Sequence, residues 1–550
     1  MQQAFPLMTK AKKILILFLV IVGIVSCRKN SGPSWDTQIL APLIKTTLSI
    51  NNIVTGVNTV NNSDSSVTLV LHDSLYSLNL DSLLRIPDTT LANVYGDIPF
   101  PIAVSPGQSI LPTGIDSVTN YHIGSANLTK AIIRSGYVKF KVKSTILAVT
   151  DFSYVVPSAK LNGQPLTIKL TVPAAVQNGN SRIKGVDSVI LPLDNYNVDF
   201  TGPMHNAYNT IITRLTGILD PNAQNYTLNY LDSVIITATF YSIVPEYGQG
   251  YFGESKKTIG PSKSVFSLFN KITGGNLNLK NVNVNFTLEN GFGVDGRLYI
   301  DSLISMNSRP GGINIPLTAS IVHNAININR AQETAIPSSP VIPSVQRFSL
   351  NSSNSNIVQW MDNLPTAIDY KLQLTTDPLG NVSGNTDFAY YGYGIKTYFD
   401  ISVPLYLAAN NLTLEDTMPV SFATSSQAKQ IKSGTFTLYA SNLFPFSAGL
   451  QIYLLDNNMH VTDSILSPAQ TIAAGIPNAN GMVTTPDNSI LTIPLDSYHA
   501  NLLFTTKNII VKAIFNTGCS TCIPVKYSKI YDTYQLNIKL IGNFDYQVKG

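Results

Sequence analysis

The sequence predicts an all-β protein, built as several β-sandwich (immunoglobulin-like) modules in tandem with internal duplication. Three observations carry that expectation. Only five glutamates (Glu246, Glu254, Glu289, Glu333, Glu415) occur among 550 residues, while Asn, Ser, Thr, Val, Ile, Leu and Tyr, the residues of strands and turns, abound. Apolar side chains alternate with period two in stretches such as residues 137–142, 276–279 and 435–438, which suits half-buried strands. Finally, long sequence landmarks recur at a spacing near 300 residues. At roughly 100–200 residues per domain, the chain has room for about three to five domains.

The N-terminus reads as an export signal. Lys10, Lys12 and Lys13 precede an unbroken apolar run over residues 14–25 that ends at Ser26-Cys27. Twelve residues rise about 18 Å as a helix, well short of a hydrocarbon core of about 30 Å, so a cleaved signal over residues 1–26 is favoured over a permanent span. Ile24-Val25-Ser26-Cys27 resembles a bacterial lipobox, which makes Cys27 the lipidated first residue of the mature chain. Two or three acyl chains give stable anchoring, so the expected partner is a membrane, reached through lipid. Residues 1–26 hold three lysines and no acid, so the formal charge of +4 drops to +1 on maturation. With no basic run in the body of the chain, nucleic acid is not an expected partner.

The mature chain divides, on sequence, into an N-terminal β region (27–125), a first module (126–255), a second module (256–335), a Pro/Ser linker (336–345), a further β region (346–430) and a third module (431–550). The first and third modules share landmarks. Ile133-Arg134-Ser135-Gly136 is echoed by Ile431-Lys432-Ser433-Gly434, and Leu191-Pro192-Leu193-Asp194 by Ile493-Pro494-Leu495-Asp496. Ile272-Thr273-Gly274-Gly275 and Ile315-Pro316-Leu317 hint at a middle copy. The prolines belong on edge strands, where a missing donor is tolerated. The linker follows from Ile336-Pro337-Ser338-Ser339-Pro340, an extended composition. Short helices are expected only near residues 357–364 and 207–215.

Trp35-Asp36 with Ala41-Pro42-Leu43, Gly250-Tyr251-Phe252-Gly253, Glu289-Asn290-Gly291-Phe292-Gly293-Val294, Asn356-Ile357-Val358 and Pro404-Leu405 together resemble a family of uncharacterised Bacteroidota outer-membrane lipoproteins. That resemblance implies an outer-membrane location and β architecture, and no activity. Arg28-Lys29-Asn30-Ser31 contains no acid of the kind that directs surface export in that group, so the periplasmic face is favoured over the cell surface.

Candidate chemistry is sparse. Gly248 to Gly253 matches GxGxxG, but no helix start or downstream acid follows, so a glycine-rich turn between modules is expected instead of a dinucleotide loop. Cys519 and Cys522 form the thiol pair of the mature chain, and an envelope setting favours a local disulfide over a redox centre. The six histidines are scattered, so no metal or cofactor is expected. Distant aspartates can still converge in three dimensions, as glycoside hydrolysis requires. Tyr390, Tyr391, Tyr393 and Tyr251 are candidate binding aromatics, suited to a sugar or a protein partner. Asp followed by Ser or Thr and an aliphatic, Thr or Met resembles the O-glycosylation sequon of exported Bacteroidota proteins. It marks Ser74, Ser82, Thr89, Ser117, Ser188, Ser233, Ser302, Thr417 and Ser464 as acceptors, although Asp-Ser also caps turns. The expected function is a lipid-anchored, non-catalytic binding or scaffolding protein of the outer membrane, with an envelope protein or a glycan as partner. The alternatives are a surface glycan-binding or carbohydrate-active protein and a periplasmic envelope-assembly factor.

Overall fold

The computed structural model describes residues 34–49, 58–80, 86–96, 98–112, 116–420, 431–466, 470–517 and 526–549. Nearly all of the named elements are strands, and every named strand pair is antiparallel. They form three sandwiches of one design. In the first, Thr89–Tyr95, Val234–Tyr251, Asn127–Ser144 and Gly185–Pro192 make one sheet in that order. Ser117–Asn120, Thr210–Leu219, Thr150–Leu161 and Gln164–Val172 make the other. Asn197–Asp199 pairs with both Asn127–Ser144 and Thr150–Leu161, closing the two sheets along one side.

The second sandwich repeats the first order as Val67–Asn79, Gly394–Pro404, Asn283–Asn290 and Ser344–Leu350. Against it lie Ser255–Val265, Ala367–Thr376 and Gly296–Met306. The third repeats it again as Ser34–Ser49, Gln535–Lys549, Ile431–Asn442 and Asp487–Leu495, facing Tyr406–Pro419, Asn508–Asn516 and Ser447–Leu455. Period-two alternation builds the core in each. Val138, Phe140 and Val142 point inward in the first copy, Val284, Phe286 and Leu288 in the second, and Phe436, Leu438 and Ala440 in the third. Aromatic pairs bridge the two sheets, as where Phe140 stacks on Tyr154 at 5.1 Å and Phe444 meets Phe515 edge-on at 5.3 Å.

A shared corner proves the triplication. The side-chain oxygens of Ser144, Asn290 and Asn442 accept from the N–H two residues on, at Ile146, Phe292 and Phe444 (3.1, 2.9 and 2.9 Å). The carbonyls of those same three residues accept from Ala175, Ala331 and Gly475 (2.8, 2.8 and 2.9 Å). The first-to-third offset is 300 residues between Ala175 and Gly475, as the sequence landmarks require.

Several expectations change. The N-terminal β region is no separate layer, because its strands are shared out, one to each sandwich, beside that sandwich's last strand. Ile272–Leu279 does not open the middle copy; it pairs with Tyr406–Pro419 in the third sandwich, and the middle copy opens at Asn283. Asn314–Pro316 is an edge strand on Gly296–Met306, while Ser344–Leu350 holds the position of the two Pro-containing edge strands. The presumed linker at 336–345 is a turn whose Val341–Ile342 pairs back with Gln332–Glu333 before that edge strand begins. Residues 210–219 form a strand, where a helix was expected, because Ile211 and Leu219 face the core. The helix at Ile357–Asp362 is present, burying Ile357, Trp360 and Met361. The Gly248–Gly253 stretch lies within and just beyond the strand Val234–Tyr251 and is no turn.

Candidate functional site

The sequence-derived sites fall into three groups. Cys27, Ser82, Cys519 and Cys522 lie outside the described residues. Of the remaining sequon positions, Ser74, Ser117, Ser188 and Thr417 are exposed, and Thr89, Ser233, Ser302 and Ser464 are half-buried. The Asp carboxylate folds onto the following N–H at Ser188 (2.8 Å) and Ser464 (2.7 Å), within strands and not at the turns expected of them. The aromatic candidates form the third group, and they meet at one place.

That place is the joint between the first two sandwiches. Residues 377–387 carry Asp-Pro, two glycines and alternating Asn and Ser, a composition that favours tight turns. Asn381 and Asn385 lock the loop, with Asn381 Nδ2 donating to Asn385 Oδ1 at 2.8 Å and Asn385 N–H donating to Asn381 Oδ1 at 3.0 Å. The loop delivers Asp387–Tyr390 out of the second sandwich and onto Tyr247–Gly250 of the first, in antiparallel register. Glycines allow the approach: a Cβ on Gly293 would stand 2.2 Å from the Phe388 ring, and one on Gly250 would stand 2.2 Å from the Asn127 carbonyl oxygen.

On the outer side of this strand Tyr390 packs against Tyr247, ring centres 4.6 Å apart, and donates its hydroxyl to Glu333 Oε1 at 2.7 Å. Burial and the Glu333 carboxylate raise the Tyr390 hydroxyl pKa. Arg134 pairs with Glu246 at 2.8 Å and lies 4.0 Å over the ring of Tyr391, which is 39% exposed. Tyr393 meets Tyr390 edge-on, and the Tyr251 hydroxyl accepts from Glu254 N–H at 3.0 Å. The two aromatic clusters read separately from sequence are thus joined through Tyr247 and Tyr390.

Beneath the same strand lies a group of carboxylates that single residues could not announce. Asp387 is 1% exposed and Asp377 is 4% exposed. Asp377 N–H donates to the Asp295 carbonyl at 2.9 Å, and the Asp377 carboxylate feels the charges of Asp387 and Asp295. Burial, with the facing charges of Asp387 and Asp295, pushes Asp377 up to about 7. Burial also raises Asp387, against the opposing pull of Ser383 and Arg330. Arg330 Nη2 stands 3.1 Å from Asp387 Oδ1 and donates to the carbonyls of Gly293 (2.6 Å) and Thr386 (3.1 Å). Two aspartates therefore do converge beside tyrosines. Both are buried, so a sugar ring has no place between them and glycoside hydrolysis is not supported at this pair. A separate apolar cavity of about 60 Å³ lies inside the first sandwich among Ile133, Val156, Phe200 and Phe240, about the space of a few waters.

Against known proteins, no protein-family model and no curated protein matches the chain. Among solved structures it is similar to a candidate secreted protein from Parabacteroides distasonis at 10% identity, covering 92% of this chain and 99% of that one with a TM-score of 0.26. A structure of the Sulfolobus turreted icosahedral virus is matched at 11% identity over 87% of this chain and 97% of that one, with a TM-score of 0.10. At those scores neither likeness bears on function. Among the described residues no helix is long and apolar enough to cross a membrane.

Proposed function

We propose that the chain is a lipid-anchored outer-membrane protein with a non-catalytic binding or scaffolding role in the cell envelope. The observation that supports this reading most directly is the path of the N-terminal segment. Cys27 precedes the strand Ser34–Ser49 by seven residues, which span at most about 25 Å. That strand pairs along its whole length with Gln535–Lys549, and the segment then supplies Val67–Asn79 and Thr89–Tyr95 to the other two sandwiches. A pull on the anchor is therefore borne in turn by long antiparallel ladders in all three bodies, an arrangement suited to holding a partner at a membrane. The acid-free stretch after Cys27 favours the periplasmic face, and the exposed sequon hydroxyls are available for glycans.

The test replaces Cys27. Wild-type protein should partition with membranes and the detergent phase, and Cys27→Ala should move to the soluble fraction with its fold intact. Wild-type protein found in the soluble fraction would overturn the anchor. Protease treatment of intact cells reads the side: resistance supports the periplasm, cleavage the surface. Cross-linking from native membranes should then return a defined envelope partner if the scaffolding role holds; recovery of the chain alone, or turnover of a glycan by it, would count against that role.

A further inference from the structure

We infer, on the membrane placement proposed above, that one end of the first sandwich docks on the anionic headgroups of a phospholipid surface. Lys139, Lys141 and Lys143 alternate along Asn127–Ser144, so their side chains leave the outer face of the sheet as a column at steps of about 7 Å. Across the neighbouring strands they are flanked by Thr239 and Ile190, Thr237 and Ser188, and Ile235 and Val186, none of them charged. Asp187, between Val186 and Ser188, alternates to the opposite side of its strand. The arginines Arg134, Arg182 and Arg214 of this sandwich are ion-paired, whereas among the described residues the three lysines have no ion-pair partner.

The column is not a property of the fold. Counting back from the shared corner residues Ser144, Asn290 and Asn442, the places of Lys143, Lys141 and Lys139 are held by Glu289, Thr287 and Asn285 in the second copy and by Ser441, Tyr439 and Thr437 in the third. Glu289 there faces Lys396 across the strands. Only the first copy gathers like charges that nothing offsets, an arrangement that repels itself and complements an anionic partner.

Beyond Lys143 the sandwich ends in a fixed apolar rim. Thr145 donates its hydroxyl to the Leu231 carbonyl at 2.9 Å. Buried Asp232 ties down the same loop, accepting from Arg182, from the Tyr226 hydroxyl at 2.9 Å and from Asn229 N–H at 2.7 Å, while Asn229 Oδ1 accepts from Leu231 N–H at 3.0 Å. The loop so locked holds Tyr230 79% and Leu231 47% exposed, and Val94 (69%) and Ile102 (42%) stand with them around a cleft of about 920 Å³. Apolar side chains held rigidly in water mark an interaction surface, and entering the headgroup boundary costs them little further ordering. Val94 shares a row with Ile235 and Lys143, so rim and column meet. Exposed aliphatic and tyrosine side chains beside unpaired lysines suit an anionic bilayer. A second copy suits the face poorly, because an isologous contact sets lysines against lysines.

The experiment uses the full mature chain with Cys27→Ala, which carries no acyl group, so that vesicle binding reads the face and not the anchor. It is sedimented with vesicles of phosphatidylcholine alone or mixed with the anionic phosphatidylglycerol. Binding is expected to the mixed vesicles only and to weaken as salt is raised. Lys139→Gln, Lys141→Gln and Lys143→Gln together should weaken it roughly tenfold or more, as should Tyr230→Ser with Leu231→Ser. Lys256→Gln, Lys257→Gln and Lys263→Gln, which remove the same charge from an edge strand of the second sandwich, should leave it unchanged. Equal binding to both vesicles, or equal loss in the second-sandwich control, would overturn the face. Absence of vesicle binding, with the Lys139, Lys141 and Lys143 variant instead losing a cross-linked envelope protein, would overturn the lipid assignment in favour of an acidic protein. Either result leaves the anchor standing if wild-type protein partitions with membranes, and the vesicle comparison requires no surface variant to fold.

Discussion

Asn290 and Asn442 hold the same corner in the second and third sandwiches with three hydrogen bonds each. Asn290 accepts from Phe292 N–H and donates to the carbonyls of Val294 (3.0 Å) and Asn329 (2.9 Å); Asn442 accepts from Phe444 N–H and donates to Phe446 and Ala473 (2.8 Å each). Both are fully buried, so an alanine there strands one N–H and two carbonyls without water. Asn442→Ala should lower stability by about 2–3 kcal/mol in a urea titration, and Ser144→Ala, which loses one bond, by about 1 kcal/mol. A second residue titrates. Asp362 ends the helix Ile357–Asp362, accepts from Leu279 N–H at 2.8 Å, and is pushed from 3.8 up to about 7 by burial. Its folded form holds the proton more tightly than the unfolded chain does, so its contribution is complete below about pH 4 and is lost as the pH rises through about 7. Asp362→Asn keeps the acceptor and removes the charge; melting temperatures from pH 4 to 8 should fall less steeply in the variant than in the wild type, and parallel curves would refute the assignment.

At the level of strands, alternation and the long repeat were readable because both are properties of contiguous residues. Tyr137 to Val142 states which side chains face inward, and the Ile-x-Ser-Gly and Pro-Leu-Asp landmarks fall at matching places in the first and third sandwiches. Pro192 and Pro494 occupy edge strands, as a residue with no N–H must when its neighbour on one side is solvent. Strand partners were not readable. Period two names the buried face but not the neighbour, so Ser34–Ser49, Val67–Asn79 and Thr89–Tyr95 looked like one region although each closes a different sandwich. The helix Ser497–Thr505 was hidden for another reason: Leu495-Asp496-Ser497-Tyr498 repeats Leu193-Asp194-Asn195-Tyr196, which forms a turn, whereas Asp496 caps a helix by accepting from His499 N–H at 2.9 Å. The buried carboxylates draw Asp377 and Asp387 from the two ends of one loop and Asp295 from the connection before Gly296–Met306, so no spacing rule could have grouped all three. The aromatic clusters around Tyr251 and Tyr390 were visible as clusters, but their use as a joint depends on Asp387–Tyr390 leaving its own sandwich.

Across the whole molecule, the first described strand lies beside the last, with Gln38 hydrogen-bonded to Asp545 across 507 positions. Closing a loop of roughly 500 residues costs about 3.5 kcal/mol more than closing one of ten, by the logarithmic law for flexible loops. Sandwiches folded inside the loop reduce that cost, because they shorten the flexible chain between its ends. The first sandwich closes when Thr89–Tyr95 meets Val234–Tyr251, and the second when Val67–Asn79 meets Gly394–Pro404. Only the third must wait for the C-terminal residues, and until then Ser34–Ser49 has no partner strand. A chain ending at Pro419 should therefore keep two sandwiches while leaving residues 34–49 unprotected, along with the outer edge of Tyr406–Pro419 that Asn508–Asn516 covers. In hydrogen exchange, amides of Asn127–Ser144 and Asn283–Asn290 should stay protected in this shortened chain and those of Ser34–Ser49 should exchange within the dead time. Adding residues 431–550 as a separate polypeptide should restore protection to Ser34–Ser49. Protection there without the added segment would mean that the N-terminal strand has another resting place, and the tie between anchor and third sandwich would no longer follow from strand pairing.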